Sequence, residues 1–253
     1  MVSIISKSVP RPRAAAKVAA KAKPKEPPRF GSRAYAETPA AKRARQRVAE
    51  PPVVAPDVAS LPREVRIIGG AWKRSKLPVS LLPGLRPTPD RVRETLFNWL
   101  GADLAGWRCL DAFAGSGALG FEAASRGAAS VLLLERESRQ ARSLEESKLR
   151  LKADMLQVVA TDALSWMRRS APDAFELVFI DPPFGSDLLG PALAASARLL
   201  VPHGYIYLEA AHAYSAEDIA PLQLTVHRHV HVGRVHAHLL QRIAGDYTAA
   251  PVP

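Results

Sequence analysis

Acidic residues are absent from the first 25 positions, and cysteine occurs once in 253 residues, at Cys109. A single cysteine excludes an internal disulfide and any cysteine-paired zinc site, and it fits a reducing compartment. No apolar run approaches the ~20 residues needed to span a bilayer, so no membrane association is expected. The opening Met1–Ile5 is too short for a signal-peptide core. The stretch before Glu26 is rich in Lys, Arg and Ala, a composition shared with organelle transit peptides. A basic tail on a cytoplasmic protein is the simpler reading. Residues 1–64 contain one Gly and few bulky apolar side chains, against 14 Ala and 10 Pro. Such a segment cannot bury enough surface to offset its ordering entropy, so it is expected to be disordered, with at most a transient helical turn around Ala14–Lys23.

The net charge of +11 is unevenly placed. Residues 1–64 carry +9, residues 65–100 carry +5 and residues 101–253 carry −3. This asymmetry favours a polyanionic partner approached from the N-terminal side. For the tail alone, a solubilising role is an equally good reading. The folded part is expected to run from Val65: a basic hairpin and helix over 65–100, then a core over 101–245.

Val65–Val79, broken at Gly69-Gly70, reads as a hairpin bearing Lys73, Arg74 and Lys76. Thr88 is placed to cap a helix with Pro89 as its first residue, running to about Leu100. Strands and helices then alternate. Strands are expected at Arg108–Ala112, Ser130–Leu134, Leu156–Ala160, Leu177–Ile180 and Gly204–Glu209. Helices are expected at Ala118–Arg126, Ser138–Lys152, Ala163–Arg169 and Leu188–Leu200. That alternation indicates βαβ units and a parallel sheet covered on both faces. Gln223–His231 and Arg234–Arg242, joined at Val232-Gly233, read as a closing antiparallel hairpin.

Chemistry-bearing residues fall at strand ends. Asp111 is followed by Gly115-x-Gly117-x-x-Gly120 at a strand-to-helix turn, a pattern that lets a ligand approach the backbone and is shared with dinucleotide binders. Glu135 ends the next strand, where an acid can accept both ribose hydroxyls. Asp162 follows the third strand and can accept an adenine amino group, cap a helix, or both. Asp181-Pro182-Pro183-Phe184 ends the fourth strand. The prolines hold a rigid turn. The Asp181 carboxylate and Pro182 carbonyl can then accept two hydrogen bonds from one NH2 group, and Phe184 offers a stacking face. A hydride-transfer enzyme explains the glycine turn and Glu135 but not this last turn. The histidines at 227, 229 and 231 are expected on one face of a strand, with 236 and 238 on the next, as a polar hairpin face rather than a metal site. Trp72, Trp99, Trp107 and Trp166 read as packing residues. Trp72 is the exception with basic neighbours suited to RNA. Cys109 is expected buried in the first strand.

From about Arg66 to Arg242 the chain resembles the RsmD family of bacterial small-subunit rRNA guanine-N2 methyltransferases. The resemblance rests on Arg66-Ile67-Ile68-Gly69-Gly70, on Leu85 through Leu100, on Cys109 through Gly120, and on Asp181–Phe184. The Leu85–Leu100 stretch is the most specific of these. Asp-Pro-Pro-Phe alone is shared with adenine-N6 DNA methyltransferases. The resemblance implies an α/β, Rossmann-like methyltransferase with a seven-stranded, mostly parallel sheet whose last strand is antiparallel. It implies S-adenosyl-L-methionine at Thr88, Asp111, Phe113, Ala114, Gly115, Gly117, Glu135, Asp162 and Ala163. It implies catalysis at Asp181, Pro182, Pro183 and Phe184 on a guanine of 16S rRNA, within an assembling small ribosomal subunit, by a monomer. Lys73, Arg74, Lys76, Arg86, Arg91 and Arg93 are the expected RNA contacts. The alternatives are an adenine-N6 methyltransferase acting on DNA or RNA, for which no folded segment is left to serve as a recognition domain, and a non-catalytic RNA-binding module of the same fold. The tail over 1–64 lies outside the resemblance.

Overall fold

The computed structural model describes residues 63–79, 89–183, 186–233 and 235–243. In chain order the elements are β1 (Glu64–Arg66), β2 (Lys76–Pro78), α1 (Asp90–Leu100), β3 (Arg108–Asp111), α2 (Ala118–Ser125), β4 (Ser130–Glu135) and α3 (Ser138–Leu151). They continue as β5 (Leu156–Ala160), α4 (Ala163–Arg169), β6 (Phe175–Ile180), α5 (Leu189–Leu199), β7 (Leu200–Ala210), α6 (Ala216–Ile219), β8 (Leu224–Val232) and β9 (Val235–Arg242). Apart from the β1–β2 hairpin, the strands form one sheet in the order β5-β4-β3-β6-β7-β9-β8. The first five positions are parallel, and β9 runs antiparallel to both of its neighbours.

Strand β6 shows why both faces of this sheet must be covered. Leu177 and Phe179 join one apolar cluster with Phe97, Phe121 and Tyr207. Val178 and Ile180, pointing the other way, join a second cluster with Leu193 and Ile206. A strand apolar on both faces belongs in the middle of a layered sheet. Burying such side chains contributes roughly 1.5–3 kcal/mol each.

Helix α2 is buried on every side, because the sheet lies on one face and the N-terminal hairpin closes the other. Its Glu122 carboxylate accepts from the amides of Ile68 and Gly69 at 2.6 and 2.8 Å and from Arg126 Nε at 2.8 Å. Ala71 N–H donates to the Ser125 carbonyl. Gly70 has φ of +74°, and a Cβ there would sit 1.8 Å from the Ser125 carbonyl oxygen. The Arg66–Gly70 motif is therefore a docking segment for α2.

Several expectations change. Pro89 is the N-cap of α1, not its first helical residue; its carbonyl accepts from the amides of Val92 and Arg93. Thr88 lies outside the described residues. The expected tail boundary after residue 64 falls inside β1, where Glu64 pairs with Pro78 and its carboxylate meets Lys76 Nζ at 2.6 Å. Helix α6 was not expected, since four residues carry no periodicity. Its Ser215–Asp218 capping box is the local signal for it. The histidine faces also differ. A bulge between Val226 and Arg228 turns His227 away from His229 and His231, against the Tyr205 ring. His238 is wholly buried rather than on a polar face, and its Nε2 accepts from Tyr214 N–H at 3.0 Å. Burial, with His229 and His236 nearby, lowers its pKa to about 4. No group of His, Cys, Asp or Glu among the described residues is placed to hold a metal ion. Cys109 is buried in β3, and Trp72, Trp99, Trp107 and Trp166 pack against the two cores.

Candidate active site

The strand order reverses between β3 and β6, and open α/β sheets bind ligands beyond their carboxyl ends at such a point. Read across that edge, the strands β5, β4, β3, β6 and β7 end at or beside Asp162, Glu135, Asp111, Asp181 and Glu209. Asp111, Glu135 and Asp162 are each held by a different local cause.

Asp111 closes β3 and is buried; its Oδ2 accepts from Gly120 N–H at 3.0 Å. Burial pushes its carboxyl up to about 7, against the Gly120 and Phe113 amides and with the help of the Glu135 charge. Its direct partner is thus the first turn of α2, which it ties to the strand. Glu135 is half-buried at the end of β4 and spans the glycine turn. Oε2 accepts from Gly115 N–H at 2.9 Å, and Oε1 accepts from Glu137 N–H at 2.8 Å. Gln140 Nε2 donates to the Gly115 carbonyl on the other side of that residue. Asp162 is exposed and caps α4 by accepting from Ser165 N–H at 2.8 Å, the contact that chiefly holds its pKa below the usual range.

The glycines have separate reasons. Gly115 and Gly117 have φ of +50° and +76°, which the turn requires. A Cβ on Gly117 would meet Leu144 and Phe121, and one on Gly120 would meet Leu133 at 2.2 Å. Gly120 therefore lets α2 pack on the sheet, and Gly117 sits against side chains of α2 and α3. Gly115 and Gly120 each also give an amide to an acid at the strand ends, Gly115 to Glu135 and Gly120 to Asp111. Phe113 is half-buried and Ala114 buried in this turn, and Ala163 is buried at the start of α4.

Asp181 and Pro182 follow β6 directly, Asp181 half-buried and Pro182 buried, with Pro183 exposed. Phe184 lies outside the described residues, as does Arg86. Lys73, Arg74 and Lys76 are exposed on the hairpin, and Arg91 is exposed on α1. Arg93 is a correction. It was expected on RNA, but it is fully buried, with its NH2 group 2.6 Å from Asp90 Oδ1 and its NH1 group 3.7 Å from Glu122. A guanidinium enclosed among carboxylates braces α1 against α2 and cannot reach a phosphate. Glu122 and Glu209 were not singled out from the sequence. Their signal is an acid alone within an apolar run, Ala118–Ser125 for one and Tyr205–Ala210 for the other.

The geometry suits a nucleoside ligand. A half-buried acid on β4 is oriented by two amides, an exposed acid follows β5, and a glycine turn lies between α2 and the sheet. The family description "Conserved hypothetical protein 95" matches residues 65–241. The chain is 41% identical over 186 residues to "Ribosomal RNA small subunit methyltransferase D" of Escherichia coli strain K12, covering 72% of this chain and 91% of that protein. The chain belongs to the RsmD family. A relative of the same name from Haemophilus influenzae is 43% identical over 151 residues, 58% of this chain and 78% of that protein. The solved structure of the Escherichia coli protein yhhF aligns with a TM-score of 0.63 at 37% identity, over 72% of this chain and 99% of that one. The aligned share covers the methyltransferase fold, so the row of strand-end acids belongs to the RsmD-family part of the chain.

Proposed function

We propose that this protein methylates the exocyclic N2 amine of a guanine in 16S rRNA, with S-adenosyl-L-methionine as methyl donor. The observation that carries the reading is Asp181-Pro182-Pro183 at the carboxyl end of β6, across the strand-order reversal from Asp111 and Glu135. The names of the relatives support rRNA of the small subunit as the substrate.

When bound, the cofactor supplies a methyl carbon on a sulfonium sulfur, whose transfer to nitrogen leaves a neutral thioether and frees one proton. Glu135 accepts the ribose hydroxyls, and Asp162 accepts the adenine amine. Phe113, Ala114, Gly115, Gly117 and Ala163 line the turn between them. Thr88 enters by resemblance alone.

An aromatic amine is a weak nucleophile because its lone pair is delocalised into the ring. Asp181 and the Pro182 carbonyl each accept one N–H, which localises the pair and stabilises the positive charge that develops. Holding nitrogen and methyl in line supplies much of the remaining rate. The proton can leave after transfer, so no strong base is needed. Pro183 keeps the turn rigid, and Phe184 is the stacking surface. Lys73, Arg74, Lys76, Arg86 and Arg91 hold phosphates around a base splayed out of the folded rRNA. The chain from β1 onward acts as one methyltransferase unit, and a monomer suffices.

The test is transfer of labelled methyl groups to small-subunit particles from cells lacking the protein, with the modified nucleoside identified by mass spectrometry. Asp181→Ala should lower single-turnover transfer by roughly 100-fold or more, the size of loss seen when one preorganised hydrogen-bonding group is removed from a transition state. Asp181→Asn should keep part of the activity, since its amide oxygen still accepts. Glu135→Ala should instead weaken cofactor binding by calorimetry. Wild-type transfer by Asp181→Ala would refute the mechanism. A product other than N2-methylguanosine would overturn the substrate.

A further inference from the structure

Strand β7 carries one acid in an otherwise apolar and aromatic stretch, and it falls beside the Asp-Pro-Pro turn. The ladder between β6 and β7 pairs Phe179 with Tyr207 and Ile180 with Leu208. Continued by one residue, that register sets Asp181 beside Glu209, and both carboxylates act on the Tyr207 phenol. Side chains alternate along a strand, so Phe179 and Asp181 share a face with Tyr207 and Glu209. The Phe179 and Tyr207 rings meet edge-on at 6.3 Å, as that shared face requires. Glu209 is 5% exposed, and its Oε1 accepts from Tyr207 O–H at 2.7 Å. Burial and the Glu209 charge hold the Tyr207 phenol far above its usual range; Asp181 adds to this and Arg93 opposes it. These side chains form one electrostatic group at the carboxyl end of β6 and β7. Glu209 is the member fixed in orientation by a phenol two residues earlier on its own strand.

Guanine is the base whose Watson–Crick edge places two donors side by side, N1–H and N2–H2. Adenine presents an N1 acceptor next to its amine. Two carboxylates on neighbouring parallel strands, about 4.8 Å apart at the backbone, match two adjacent donors and oppose an N1 lone pair. Resting on the guanine-N2 reading above, we propose that Glu209 is the specificity-determining residue: its carboxylate accepts guanine N1–H while Asp181 accepts the reacting amine. Tyr207 positions Glu209 for that contact. The arrangement rejects any base with an unprotonated N1, even one that carries the same exocyclic amine.

The test uses small-subunit particles reconstituted with rRNA carrying either guanosine or 2,6-diaminopurine riboside at the methylated position. Both bases present the N2 amine. The second has a lone pair at N1. The full-length wild-type protein should prefer guanosine by roughly 100-fold or more in kcat/KM, since a site built to accept a proton discriminates strongly against a base lacking it. In Glu209→Gln the side-chain amide can donate to an unprotonated N1. That variant should lose turnover on guanosine and gain on diaminopurine, narrowing or reversing the ratio. Tyr207→Phe should weaken the preference by a smaller factor. A structural role for Glu209 would lower both substrates together and leave the ratio unmoved, which overturns the proposal. Equal use of the two bases by the wild-type protein also overturns it, whether or not the variants fold. Failure of the guanine-N2 reading has its own signature, the absence of N2-methylguanosine from the wild-type guanosine arm.

Discussion

At the scale of single residues, the same carboxylate chemistry serves different ends according to burial. Asp162 is exposed and stays charged on a helix cap, whereas Asp111 is buried and holds its proton up to about pH 7. The unfolded chain releases that proton near 3.8, so between these values the folded state binds more protons. Stability from Asp111 is therefore full at low pH and declines as pH rises from about 4 to 7, by at most about 4 kcal/mol. His238 acts in the opposite sense. Its folded pKa of about 4 lies below the ordinary 6.5, so its contribution is lost as pH falls through that range, when the acceptor of Tyr214 N–H would have to take a proton. Asp111→Asn should remove the first trend alone. Urea unfolding of variant and wild type from pH 4 to 8 should give a stability difference that shifts in favour of the variant as pH rises. Parallel curves would show that Asp111 does not titrate in that window.

At the scale of elements, the N-terminal hairpin and α2 behave as one unit. The Glu122 carboxylate joins them through two hairpin amides and Arg126, and Arg93 brings α1 to the same point. Removing one partner from such a buried network typically costs about 3–5 kcal/mol. Glycines give a sharper test because their environments differ. Gly106 has φ of +82° with nothing within 4 Å of an added Cβ, whereas Gly70 has φ of +74° with the Ser125 backbone 1.8 Å away. Gly106→Ala should cost about 1–2 kcal/mol, the strain of a left-handed alanine. Gly70→Ala adds a clash with backbone and should cost over ~3 kcal/mol. Denaturant midpoints at equal m-value measure both, and equal losses would mean that the hairpin does not dock on α2 as described. The sequence pointed to the Arg66–Gly70 motif, but its cause lies 53 residues away in Glu122.

At the scale of the whole molecule, the positive charge is concentrated ahead of the seven-stranded sheet in the chain. Residues 1–62 carry a net +9 and precede β1, while the strand-end acids belong to the sheet. Deleting residues 1–62, and sparing Arg63 and Glu64 for the hairpin, should flatten the salt dependence of RNA binding, because fewer counterions are released. Turnover at saturating RNA should not change. Its loss would mean that the tail takes part in the reaction. The sequence alone determined the alternation of strands and helices, the closing hairpin and the acids at Asp111, Glu135, Asp162 and Asp181. Those signals are local: periodicity, turn residues and the position of a charge relative to a strand end. Tertiary structure alone decided that Arg93 is enclosed, that His227 leaves the expected face, that His238 is buried, and that Gly117 and Gly120 serve packing. It also decided that Glu209 stands beside Asp181. Each depends on which strand lies next to which and on what covers a face, and burial by a distant segment leaves no periodic trace in the sequence it buries.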